Sequence, residues 1–152
     1  MIKTKIVTIK DGDKSLKFKV RQMPATEMED WVLRVSQLAA SADLGDIDVK
    51  KGGMKSVIGA IMKNPLKFIA SVDYTKFKPL WDELLKSASK VDDRIEQQCD
   101  IENVDSYVSN FITLIQLRVE VLNLNFGFFS SEAPSESPNN GVLIQGVNDS
   151  QS

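Results

Sequence analysis

The side chains with chemistry to offer are three acidic pairs, one lysine-glycine cluster, a run of lysines and a single thiol. Asp46-Ile47-Asp48, Asp82-Glu83 and Asp92-Asp93 bring carboxylates close together, the raw material of a metal site or an acid–base pair. None has the spacing of a calcium loop, whose final glutamate follows a fixed glycine, so they are read as solvated surface charge. Lys50-Lys51-Gly52-Gly53 sets cations beside glycines, but a phosphate-cradling loop needs G-x-x-x-x-G-K-[ST] between a strand and a helix, and the order here is wrong. Cys99 is the only cysteine, which rules out an internal disulfide. Its neighbours Gln97, Gln98 and Asp100 supply acid rather than the cations that activate a thiol, and an inert group is expected. The chain has no histidine, so Ser-His and Cys-His catalysis and most zinc sites are excluded. No catalytic, cofactor-binding or metal-binding residue is assigned, and the reading is of a non-enzymatic protein that works by binding other proteins.

Charge is unevenly placed along the 152 residues. Residues 1–21 carry seven Lys or Arg against two Asp, and residues 130–152 carry three acids and no base. Lys3, Lys5, Lys17, Lys19 and Arg21 are read as one basic face of a hairpin, which could meet nucleic-acid phosphates. A nucleic-acid platform interleaves aromatics with its cations, and only Phe18 is at hand, on the opposite face; protection of an edge strand by lysine is therefore preferred. At 42% hydrophobic and 26% charged residues the composition is globular, with no apolar run of membrane-spanning length. The alternating opening Met1-Ile2-Lys3-Thr4-Lys5-Ile6 is unlike a signal peptide, and a soluble cytosolic protein is expected.

The elements that must position these groups follow from periodicity. Residues 2–10 and the alternation of Leu16, Phe18 and Val20 with Lys17, Lys19 and Arg21 predict two strands, joined antiparallel by Asp11-Gly12-Asp13-Lys14. Their apolar face should pack on the helices that follow. Thr26-Glu27-Met28-Glu29 matches a capping box, which predicts a helix from Glu27 to about Ala42 with Met28, Trp31, Val32, Val35, Leu38 and Ala39 on one stripe. Residues 43–53 read as a mobile loop. Two short helices follow, one from Met54 with Val57, Ile58, Ile61 and Met62, the other after Asn64-Pro65 with Leu66, Phe68, Ile69 and Val72. Asp73 is placed to cap a helix carrying Phe77, Leu80, Trp81, Leu84 and Leu85, with Pro79 near its first turn and an end near Ser89. Residues 90–100 are polar and carry no predicted element. A last helix, capped by Asp105 or a residue just before it, runs through Tyr107, Val108, Phe111, Ile112, Leu114, Ile115, Val119, Val121 and Leu122.

The fold class expected is thus mainly α (α+β), with a hairpin over 1–22, a body of four to five helices over 23–129 and a disordered tail over 130–152. Val142-Leu143-Ile144 is an apolar island in that tail, too short for a core element but adequate for weak docking. Trp31 and Trp81 are expected in the core. The last helix is apolar around most of its circumference, which predicts either a central position or contact with another chain. On the second reading Tyr107, Phe111, Leu114, Val121 and Leu122 grip a partner helix or a second copy of the chain.

The segment Phe18-Lys19-Val20-Arg21-Gln22-Met23-Pro24-Ala25-Thr26-Glu27-Met28-Glu29-Asp30-Trp31 resembles the tail assembly chaperones of long-tailed bacteriophages, in which such a strand leads into a Trp-containing helix. Also similar are the Gly-rich loop before Met54, the stretch from Val72 to Leu85, and Asp100-Ile101-Glu102-Asn103 followed by Leu117 to Phe126. Together they cover roughly residues 16–128 in matching order. The resemblance implies a protein of the host cell cytoplasm that binds the tape measure protein, keeps it soluble and helps tail tube subunits polymerise around it. It implies absence from the finished particle, and in many members a longer form made by ribosomal frameshift; the stretch from Ser130 stands where such an extension or linker lies. Two other classes stay open: a structural virion component, such as a tail completion or baseplate subunit adding strands to a neighbour's sheet, and a nucleic-acid-binding accessory protein.

Overall fold

The computed structural model describes residues 2–42 and 49–129. Loop residues 43–48, with Asp46 and Asp48, lie outside that range, as does the tail predicted to be disordered. The protein is mixed α+β, with an N-terminal hairpin and five α-helices among the described residues.

Strands β1 (Thr4–Asp11) and β2 (Lys14–Arg21) pair antiparallel around Gly12 and Asp13. Gly12 takes φ +66° and Asp13 does not go positive, the pattern of a tight primed turn with glycine at its first central position. The turn fixes Asp11 opposite Lys14, so odd-numbered residues of β1 share a face with even-numbered residues of β2. Val7, Ile9, Leu16, Phe18 and Val20 accordingly form one buried face. The same register corrects the expected basic face. Lys5 is opposite Val20 and reaches Glu120 on the helical side, whereas Lys17, Lys19 and Arg21 point to the other side. Of these, Lys19 and Arg21 are ion-paired with Glu96. The cations are split between two faces and partly neutralised.

Two further strands, β3 (Ala88–Asp92) and β4 (Ile95–Gln98), complete a sheet in the order β1-β2-β3-β4. They lie largely in a stretch read as polar and without an element, so the division into a hairpin and a purely helical body gives way to one sheet that joins the start of the chain to its middle. Asp93 opens the β3–β4 turn at φ +51°, a conformation costly for a side chain that has a Cβ. Asp93→Gly is expected to raise stability by about 0.5–1 kcal/mol, measured by urea unfolding; an unchanged midpoint would show that Asp93 carries no strain.

Helix α1 (Ala25–Ala40) starts two residues earlier than expected and without a side-chain cap. Pro24, at φ −56° and ψ 150°, is the boundary residue, and its carbonyl accepts from the Met28 amide at 2.9 Å; Thr26 therefore lies inside the first turn and the capping box is not formed. Helix α2 (Val49–Lys63) includes residues expected in the loop, and breaks at Gly53, whose φ of +57° and ψ of −142° only glycine adopts freely. Helix α4 (Tyr74–Glu83) is capped by Asp73 as expected, and helix α3 (Pro65–Ser71), which restarts after Asn64-Pro65 as expected, is capped by Asn64. Pro79 sits inside α4 rather than in its first turn, and the expected continuation through Leu84 and Leu85 is a 3-10 turn, Leu84–Ser87, that leads directly into β3.

Helix α5 (Phe111–Phe126) is the pivot of the fold. It packs against β1 and β2, against α2 and against the Leu84–Ser87 turn, which explains its apolar circumference by a central position. Its start is displaced from Asp105, which lies in a separate 3-10 turn, Val104–Ser106. Asn110 caps it, and Asp11, at the far end of β1, accepts from the amides of Ser109 at 2.8 Å and Asn110 at 2.9 Å and from the Thr113 hydroxyl at 2.8 Å. One buried carboxylate thus fastens the hairpin to the central helix.

The Ser109 amide above all holds the Asp11 carboxyl below its usual range, with Thr113, Asn110 and Lys14 adding to the effect and burial opposing it. A depressed folded-state pKa contributes stability above the unfolded value of about 3.9 and loses it as pH falls through the lower folded value. Asp11→Asn is therefore expected to destabilise the protein at neutral pH, and the gap to the parent should close below about pH 4. A gap independent of pH would assign the effect to shape rather than charge.

Candidate functional site

The residues expected to form a partner surface do not form one. Val121 and Leu122 are 0% exposed, in the core with Leu117 and Phe126, because the face of α5 that carries them is covered within the monomer. Tyr107 lies outside α5 and is half-buried, its hydroxyl 3.1 Å from both Cys99 Sγ and Asn103 Oδ1 and its ring under the Lys90 ammonium at 5.9 Å. Leu114 is half-buried, and only Phe111, 66% exposed, faces solvent. Burial pushes the Cys99 thiol pKa up, so it stays protonated, and does the same to the Tyr107 hydroxyl.

Of the acidic pairs within the described residues, Asp82, Glu83 and Asp92 are held in ion pairs. Asp82 meets Lys78 at 2.6 Å and Arg118 at 3.1 Å, and Asp92 meets Lys90 at 2.6 Å. Glu83 receives both terminal nitrogens of Arg34 at 2.6 and 2.7 Å, a fork that ties α1 to α4. Arg118, buried, also donates to the Trp81 carbonyl at 2.9 Å and lies 4.8 Å from the Trp81 ring centroid. Among the described residues no group of three or more His, Cys, Asp or Glu could hold a metal ion, and no helix is long and apolar enough to cross a membrane.

What the fold does assemble is an apolar groove of about 430 Å³ between the β2–α1 junction, α1, α2 and the end of α5. Its floor is Met23, Val32 and Phe126, all buried. Leu33, Met54 and Phe128 form its rim, at 58%, 41% and 68% exposure, and Met28 lines the wall. Among the described residues, Glu29 is the one charged residue along it. The floor is fixed from below: Phe126 stacks on Trp31 at 5.7 Å, the Trp31 indole donates to the Leu80 carbonyl at 2.9 Å, and the Met23 amide donates to Asn125 Oδ1 at 2.7 Å.

Three methionines, one each in the floor, wall and rim of an open apolar groove, make a surface that can repack around apolar side chains of differing shape. Its chemistry is non-covalent capture of an apolar or amphipathic segment. Sequence reading placed Met28 and Val32 on the core stripe of α1 and did not single out Leu33 or Phe128; residues 33, 54 and 128 are brought together by tertiary packing alone. The signal available was Leu33, a large apolar residue just off the α1 stripe. No protein-family model matches the chain, and neither a curated protein nor a solved structure matches it.

Proposed function

We propose that this chain is a phage tail assembly chaperone that holds an apolar helical segment of the tape measure protein in the groove beside α1, keeping it soluble in the host cytoplasm while tail tube subunits assemble. The observation that carries the reading is the methionine-lined groove, a binding surface in a molecule whose Arg34, Asp82, Glu83, Lys90 and Arg118 are engaged in structural ion pairs. The segment from Phe18 to Trp31, which carries the resemblance to such chaperones, contributes Gln22, Met23, Ala25, Met28 and Glu29 to that groove. An amphipathic helix laid there would place its apolar residues between Leu33, Met54 and Phe128.

Leu33→Asp provides the test, since Leu33 is 58% exposed and its replacement should leave the fold intact. Full burial of a leucine against a partner contributes about 1.5–3 kcal/mol, so capture of a tape measure fragment should weaken by at least about tenfold in titration calorimetry. Parental affinity in the variant would remove the groove from the interface. A second reading, a virion component that adds strands to a neighbour's sheet, is favoured by β4, an edge strand exposed at every residue with Ile95 at 71%. Purified particles separate the two: a chaperone is missing from them and a structural subunit is present.

A further inference from the structure

We propose that the groove has an internal occupant, the segment Val142-Leu143-Ile144 of the same chain, which covers it when no partner is bound. The inference rests on the groove's being a docking surface but not on the identity of the partner. The last described turn, Gly127–Phe129, follows α5 directly, and Phe126 and Phe128 themselves line the groove, so the chain leaves the described structure at the rim. Beyond it the sequence holds one run of three consecutive large aliphatic residues, Val142 to Ile144, set between Gly141 and Gln145-Gly146. That run is uncharged and sets no like charge against Glu29, the one charged residue among those described along the groove, whereas the acids Glu132, Glu136 and Asp149 lie well to either side of it.

The connection from Ser130 to Gly141 is twelve residues and spans at most about 40 Å, a reach that allows a segment anchored at the rim to return to the groove. A tether of that length presents its end at an effective concentration of about a millimolar, so a contact with an intrinsic Kd of about a millimolar is half occupied. A volume of about 430 Å³ falls within the range that takes a small apolar ligand. The consequence is a cover that shields Leu33, Met54 and Phe128 from unwanted association and yields to a longer helix that binds more tightly. It lowers apparent partner affinity by the fraction of molecules that are open.

The test uses the full chain carrying Gln145→Cys with a nitroxide on the introduced thiol, Cys99 being buried and left unlabelled. Methyl resonances of Met28 and Met54 should be strongly broadened, while Ile112, about 20 Å away along α5, should be affected far less. Adding Leu143→Asp to the same labelled chain should restore the methionine signals, and Leu33→Asp should do so from the groove side. Methionine signals no more broadened than that of Ile112 would overturn the proposal. So would equal broadening in a mixture of isotope-labelled, spin-free chains with unlabelled, spin-bearing chains, since that outcome seats a second copy. Neither result touches the tape measure titration, which stands or falls separately.

Discussion

Trp31→Ala should remove about 5 kcal/mol of stability, the upper end of the range for a large aromatic truncated in a packed interior. Three contributions fall together at this residue. Its side chain is 1% exposed, so the whole indole leaves a void that neighbours on α4 and α5 can fill only in part. Its stack on Phe126 at 5.7 Å is lost, a contact of about 0.5–1.5 kcal/mol beyond area. The Leu80 carbonyl loses its donor at 2.9 Å, near the end of α4 where the helix already tightens to a 3-10 turn. A domain of this size holds roughly 5–15 kcal/mol in all, so the variant should be largely unfolded at moderate urea. Chemical denaturation followed by circular dichroism measures the difference. A loss below about 2 kcal/mol would mean that the floor of the groove relaxes onto the void, and that Phe126 is not held as the structure places it.

Much of the fold was legible where a local signal and the tertiary outcome coincide. The hairpin is one such place: alternation chose the face of Leu16, Phe18 and Val20, and the Asp-Gly turn set the register. Asp73 is another, because a short polar side chain ahead of an apolar run caps the helix through its own neighbours. Trp31 and Trp81 are core residues, as their stripes imply. Illegibility begins where a partner distant in sequence does the work. The buried positions of β3 include Ser89 and Lys90, satisfied by Arg21 from β2 and by Asp92 and the Tyr107 ring, and β4 is exposed throughout, so neither strand shows the alternation that identifies one. The start of α5 is fixed in part by Asp11, nearly a hundred residues upstream, while Tyr107 and Val108 carry the apolar pattern ahead of the helix and disguise its boundary.

The groove was hidden for a related reason. A binding surface made of Leu33, Met54 and Phe128 has no spacing to detect, since each residue is unremarkable on its own element and gains meaning only from the fold. The apolar excess on α5 was visible, and its explanation lay in the sheet, which covers a side that helices alone would have left open. The strands that supply this cover are β1 and β2, so the way the hairpin seats on α5 moves the candidate surface from the middle of that helix to α1 and the end of α5.

That move is tested most severely at Val121. Val121→Asp should cost at least about 4 kcal/mol, because the carboxylate would be buried without a partner or forced to protonate. Val121 is 0% exposed, and its carbonyl already accepts the Asn125 side-chain amide at 2.8 Å. Asn125 in turn accepts the Met23 amide, so a disturbance at this turn of α5 reaches the β2–α1 junction and the groove floor. Val121→Ala isolates the contribution of volume: it should cost about 2 kcal/mol, leave a folded protein and preserve partner capture. The expected pair of results is an unfolded aspartate variant and a folded, binding-competent alanine variant, read by circular dichroism and by titration. An aspartate variant that folds as stably as the parent but loses its partner would return the interface to the middle of α5. It would also require that helix to leave the sheet when the partner binds.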